Sequence, residues 1–200
     1  AEDVVGKYAP GMEANFNASN EGMVAIDPTS GQVLAMVGSR GYFDDTIDGK
    51  VNVATSHQQP GSAFKPFVYA AALEKGYTPE TVLFDLPTQF STVCAPQDVL
   101  NSTPPCYAPT SFDGNFKGPV TIREALAQSL NVPAVKTLYL VGVKEAVSVA
   151  ERVGITTLVD ISNYGLSLVL GGGDVTLLEL TSAYSVFAND GVRNPHTAIL

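Results

Sequence analysis

From Ala63 to Lys75 the chain reads Ala-Phe-Lys-Pro-Phe-Val-Tyr-Ala-Ala-Ala-Leu-Glu-Lys, apolar round nearly the whole circumference of a helix, and it stops at Gly76. A helix apolar on every side cannot lie on a surface, so other elements must wrap it. The chain can supply them: 200 residues, 45% apolar and 16% charged, suffice for one globular domain with a substantial core. Upstream, Gly22–Asp27 and Gln32–Val37 are near-continuous apolar runs joined by Asp27-Pro28-Thr29-Ser30-Gly31, which predicts a hairpin. Neither run alternates apolar with polar, so helices are expected over both faces of this sheet.

Helix starts are marked at Thr121-Ile-Arg-Glu124 and Thr176-Leu-Leu-Glu179, each with the hydroxyl and carboxylate spacing of a capping box. The first helix must yield before Pro133 and the second ends near Asn189-Asp190-Gly191, while a further helix fits Lys144 to Arg152, closed by Gly154. A hairpin followed by many helices predicts an α+β fold. The Pro-rich stretch between about Leu86 and Lys117 reads as linker-like, and the sequence shows no internal repeat.

The formal charge of −9, with 11 Lys and Arg against 20 Asp and Glu, repels phosphate backbones and argues against nucleic acid as a partner. No apolar run approaches the roughly 20 residues that span a bilayer. The opening Ala1-Glu2-Asp3 lacks the order of a signal peptide, so the chain reads as soluble and excised from something longer. Cys94 and Cys106 lie in a stretch rich in Pro, Ser and Asn with no His or further Cys nearby, too few ligands for zinc, and no metal or other cofactor is expected. Their spacing suits a disulfide and hence an oxidising compartment outside the cytoplasm, the alternative being two unlinked surface thiols.

Pro60-Gly61-Ser62-Ala63-Phe64-Lys65-Pro66 sets a hydroxyl and an amine three residues apart at the start of the buried helix, about one turn apart on one face. A serine hydroxyl is a weak nucleophile until a base removes its proton, and a lysine desolvated in a cleft has its pKa lowered enough to be that base. Unpaired amides of a first helical turn would favour an acyl oxygen developing beside Ser62. Alone, the pair reads first as an ordinary capped helix start, since Ser is a favoured cap and Lys is common everywhere. Ser129-Leu130-Asn131 sits where the helix from Thr121 must break: a hydroxyl there can relay a proton, and an amide can hold a substrate peptide bond, although Ser and Asn also simply terminate helices.

The surrounding sequence decides between these readings. Gln59–Leu73, Gly118–Pro133 and the pair Leu170–Thr176 and Ala183–Asn189 resemble, in order, stretches of class A penicillin-binding proteins, from about Glu21 to the end. The resemblance implies a transpeptidase domain over 21–200 with 1–20 as a linker into it, and a penicillin-binding protein/serine β-lactamase-like α+β fold in which helices cover both faces of an antiparallel sheet beside an all-helical subdomain. It implies Ser62 as nucleophile, Lys65 as its base, Ser129 as proton shuttle and Asn131 as ligand for the substrate amide. The implied substrates are peptidoglycan stem peptides ending in D-Ala-D-Ala, mimicked by β-lactams, on the extracytoplasmic face of a bacterial membrane.

Departures are plain. The family's third motif, Lys-Thr-Gly or Lys-Ser-Gly, is absent, and Lys136-Thr137-Leu138 lacks its glycine and falls in a predicted helix. The resemblance therefore implies further polypeptide carrying that motif on a strand against the hairpin. His57 and Val53 stand where the family has Arg, and His57 and His196 read as surface groups. A class A β-lactamase would add a Glu with Asn four residues on, and Glu145, Glu151 and Asp160 all lack that partner. A β-lactam sensor or a non-catalytic scaffold is the alternative from another class.

Overall fold

The computed structural model describes residues 1–198. In chain order its helices and strands are α1 (Glu2–Phe16), β1 (Met23–Ile26), β2 (Val33–Val37), α2 (Lys65–Glu74), β3 (Val82–Asp85), β4 (Gly118–Thr121), α3 (Ile122–Ala127), α4 (Asn131–Val141), α5 (Val143–Val153) and α6 (Leu177–Ala188). They fall into two units, each assembled from separate stretches. The first takes Ala1–Pro60, Ala150–Val159 and the described part of Gly173–Leu200; the second takes Gly61–Val149 and Asp160–Gly172.

In the first unit β1 and β2 pair antiparallel, Met23 opposite Val37, with an irregularity between Ala25 and Ile26. Asp27 closes the turn, its carboxylate accepting from Thr29 N, Thr29 Oγ1 and Ser30 Oγ. The hairpin is where expected. Val37 is buried while Leu34 and Met36, at 66% and 37%, are exposed, so β2 shows one covered and one open face among the described residues. Helix α6 packs against β1, and Asn52 Nδ2 donates to Met36 Sδ at 3.8 Å. The end of the described chain returns to the hairpin, Gln32 forming a parallel bridge with Thr197. The stretch read as a linker is helical over α1, with Val5 and Ala9 buried and Asn17, in the left-handed region, ending the helix.

The second unit is built round α2. Phe64, Phe67, Val68 and Ala72 are fully buried, together with Val132, Val135 and Leu138 of α4 and Val169 of the turn before Gly171. Each such side chain contributes about 1.5–3 kcal/mol on leaving water, which is why a helix apolar all round is stable here. The helix is shorter than the sequence suggests: Gly61–Phe64 form a 3₁₀ turn and α2 begins at Lys65. Pro66 explains the change. It has no N–H to give to the Ser62 carbonyl, so an α-helix starting at Ser62 would lose a hydrogen bond that one starting at Lys65 never needs.

Strands β3 and β4, which the composition did not signal, pair antiparallel from Val82–Thr121 to Asp85–Gly118 and close the neck of the Leu86–Lys117 stretch. Thr121 caps α3 with a complete capping box. The second candidate box behaves differently. Thr176 caps α6 by accepting from Glu179 N, but the Glu179 carboxylate accepts from Thr156 N at 3.0 Å, Thr156 Oγ1 at 2.6 Å and Thr157 Oγ1 at 3.0 Å.

Candidate active site

Four chemistry-bearing side chains meet in the second unit. Lys65 is 1% exposed, buried by its place at the head of α2. Its ammonium donates to Ser129 O at 2.6 Å, Ser129 Oγ at 3.2 Å and Asn131 Oδ1 at 2.7 Å. Burial penalises the charged amine and lowers its pKa to about 8, although three oxygen acceptors favour the charge.

The chain break that delivers those acceptors is sharp. Helix α3 ends at Ala127, with Gln128 as its C-cap, and α4 begins at Asn131. Between them Ser129 takes φ 54°, the left-handed region, which costs a non-glycine residue roughly 1 kcal/mol or more. This conformation lets the carbonyl and the hydroxyl of one residue both reach Lys65. Pro133 lies within the first turn of α4, where no intrahelical N–H bond is required.

Ser62 is exposed on the 3₁₀ turn and lines a cavity of about 660 Å³ shared with Ser111, Gln128, Ser129 and Asn131. The turn has a backbone support. Gly171 lies so close to Gly61 that a Cβ on Gly171 would sit 2.2 Å from the Gly61 nitrogen, and both residues have positive φ. Gly171, from a stretch without a catalytic atom of its own, therefore abuts the segment that carries Ser62.

Two residues that the sequence did not mark complete the wall. Asn131 Nδ2 donates to Thr110 O at 2.7 Å and Asn131 N donates to Ser111 Oγ at 3.3 Å. Both come from the Pro-rich stretch, which is not a loose linker. Cys94 and Cys106 are joined by a disulfide. Gln89 donates to Asp98 O and Asn101 O and accepts from Tyr107 N. Only the cysteine pair hinted that this segment is held in place. Lys117 and Asp113, also on the cavity wall, pair with each other at 3.2 Å.

Lys136-Thr137 lies in α4 and turns elsewhere: Lys136 donates to Phe84 O at 2.6 Å, and Thr137, 2% exposed, donates to Pro133 O. His57 and His196 are both exposed.

A buried lysine bound to Ser129 and Asn131, which line one cavity with exposed Ser62, is an arrangement that can serve serine acyl transfer, and the comparisons give the family. The sequence profile described as the penicillin binding protein transpeptidase domain matches residues 22–199, and the chain belongs to that family. It is 37% identical over 171 residues to penicillin-binding protein 1A of Neisseria meningitidis serogroup B, which covers 86% of this chain and 20% of that protein. It is 35% identical over 175 residues to penicillin-binding protein 1C of Escherichia coli, with 86% and 21% covered. The crystal structure of penicillin-binding protein 1A from Haemophilus influenzae superposes with a TM-score of 0.69 at 32% identity, over 85% of this chain and 23% of that one. The chain thus spans about a fifth of the length of the curated relatives it matches, 20% for the first of them.

Proposed function

We propose that this chain supplies the nucleophile half of a D,D-transpeptidase that cross-links peptidoglycan stem peptides and that β-lactams inactivate by acylation. One observation carries the reading: the buried Lys65, its pKa lowered to about 8, is hydrogen-bonded to Ser129 and Asn131, and these two line one cavity with exposed Ser62. Names of relatives that include penicillin-binding proteins 1A and 1C support the same chemistry.

In this mechanism neutral Lys65 takes the proton from Ser62 Oγ as it attacks the penultimate D-alanine carbonyl. The tetrahedral oxyanion collapses with expulsion of D-alanine, whose amine receives a proton through Ser129 from the Lys65 ammonium. Asn131 holds the donor peptide amide. An amine of a neighbouring strand then attacks the Ser62 ester and loses a proton to the same relay, and as the ester C–O bond breaks the relay returns a proton to Ser62 Oγ, leaving a new amide and free Ser62. The sequence has no Glu with Asn four residues on between Asn131 and Gly171 to activate a hydrolytic water, so the β-lactam ester is long-lived. The reaction takes place on the extracytoplasmic side of a bacterial membrane, with β-lactams and stem peptides as partners.

Fluorescent penicillin applied to the full-length protein tests this. Wild type is labelled covalently, and Ser62→Ala, which removes one exposed hydroxyl and little packing, loses the label while melting as before. Labelling that survives Ser62→Ala overturns the assignment.

A further inference from the structure

We propose that Ser111 is a positioning residue for the reaction at Ser62: with the carbonyl of Thr110 it grips Asn131, so that the amide oxygen rather than the amide nitrogen faces Lys65. The inference rests on the acyl-transfer reading above and concerns a segment to which neither the motifs nor the family resemblance assigned a role.

Asn131 is held at two points by consecutive residues. Its side-chain Nδ2 donates to Thr110 O at 2.7 Å, which leaves Oδ1 as the end that accepts from Lys65 at 2.7 Å. The reversed amide would set an NH₂ against an ammonium and a carbonyl oxygen against a carbonyl oxygen, two repulsive contacts in place of two attractive ones. Its backbone N–H donates to Ser111 Oγ at 3.3 Å. That amide is one of the orphan donors of a helix start, and the residue in capping position, Leu130, has no side-chain acceptor. Ser111, 8% exposed, thus caps α4 from a distant part of the chain.

The segment that carries Thr110 and Ser111 is stiffened along its length. Irregular stretches this long are usually either functional or linkers, and the ties along this one are not those of a linker. At its neck Asp85, 0% exposed, accepts from Lys117 N at 2.9 Å. Gln89 ties Asp98 and Asn101 to Tyr107, the Cys94–Cys106 disulfide staples the middle, and Ser102 donates to the carbonyl of Ala108 at 2.7 Å, with Ala108 buried. A loose excursion could not hold two acceptors on Asn131; this one can.

The test measures acylation of the full-length protein by a fluorescent penicillin from pH 6 to 10. The variants are Ser62→Ala, Ser111→Ala, Ser111→Thr and the double variant Cys94→Ser/Cys106→Ser. Ser111→Ala is expected to acylate about tenfold more slowly, in the range reached when a reacting group is slightly misplaced. Its rising pH limb should move to lower pH by about half a unit, because an amide released from its grip stabilises the Lys65 ammonium less. Asp113 and Lys117, the charged groups on the same cavity wall, pair with each other and do not produce such a shift. Ser111→Thr keeps the hydroxyl and should restore both rate and limb; the cysteine variant should shift both in the direction of Ser111→Ala.

Wild-type rate and pH limb in Ser111→Ala, with only a lower melting temperature, would make Ser111 a structural cap and overturn the proposal. Should Ser111→Ala fail to fold, the cysteine variant decides: a shifted profile supports the proposal and an unchanged one overturns it. Absent wild-type labelling, or labelling of Ser62→Ala, counts instead against the acyl-transfer reading.

Discussion

At Lys65 two effects oppose each other. Three oxygen acceptors favour the ammonium, and burial at 1% exposure disfavours it; burial wins and the pKa falls to about 8. At pH 7 roughly one molecule in ten then carries the neutral amine that the proposed acylation requires. Acylation should therefore rise about tenfold per pH unit below 7 and level off above about 8. Lys65→Arg, which cannot be deprotonated, should lose this limb and at least a hundredfold in rate, as stopped-flow labelling across pH would show. A sloping profile of normal rate in that variant would remove Lys65 from the role of base. Stability has the linked sign. The folded pKa lies below the unfolded value of about 10.4, so between pH 8 and 10.4 the unfolded chain binds more protons and stability rises with pH. Above about 10 the trend reverses, because burial raises the pKa of Tyr69 and pushes Tyr107 up to about 12, and the folded state then holds protons that the unfolded state releases. Gly171 offers a second test at this scale. An alanine there needs positive φ and would drive its Cβ to 2.2 Å from Gly61 N, so Gly171→Ala should cost about 2 kcal/mol or more and slow labelling ten- to hundredfold. Normal labelling at reduced stability would show that the Ser62 turn tolerates displacement.

Elements show where sequence reading succeeds and where it stops. Thr121-Ile-Arg-Glu124 and Thr176-Leu-Leu-Glu179 are the same pattern, and each starts a helix. At Thr121 the box is complete, Glu124 accepting from Thr121 N at 2.8 Å. At Glu179, burial alone would raise the carboxyl pKa, yet hydrogen bonds from Thr156, Thr157 and Thr176 outweigh it and hold the group low. Local pattern placed both caps; it carried no information on a partner more than twenty residues away in sequence. For the same reason the pairing of β3 with β4 was hidden, since strands of four residues that include Gly118 and Pro119 look like turns until the partner is known. Removing the Thr121 hydroxyl takes away the acceptor for Glu124 N, and Thr121→Ala should lower stability by ~1 kcal/mol. For a chain of this size that is a fall of about 2–4 °C in melting temperature, measurable by circular dichroism. Because α3 runs directly into Ser129, labelling should slow along with it; a lower melting temperature at unchanged rate would confine the cap to stability.

For the molecule as a whole, the ingredients of the fold were legible and their assembly was not. The hairpin, the all-apolar α2 and the Ser129 break follow from period, proline and capping residues. The division into units, each drawing on stretches far apart in the chain, depends on pairings such as Gln58 with Val175 that no local window contains. Lys65, Ser129 and Asn131 could be named because their chemistry is carried by their own side chains. Thr110 acts through a carbonyl and Gly171 through the absence of a Cβ, features every residue or every glycine shares. Net charge is a further global property with its own consequence. With 20 acids against 11 bases the folded chain repels itself, whereas ion pairs such as Lys50–Asp45, with side chains 62% and 82% exposed, are surface pairs worth little. Screening therefore removes more repulsion than attraction. Raising sodium chloride from 0.02 to 0.2 M shortens the Debye length from about 20 Å to below 10 Å, which should stabilise the chain by ~0.5–1 kcal/mol. Scanning calorimetry should register this as a rise of about 1–4 °C. A fall with salt would mean that the charge pairs outweigh the net repulsion, and that the acidic excess is offset within the fold rather than spread over its surface.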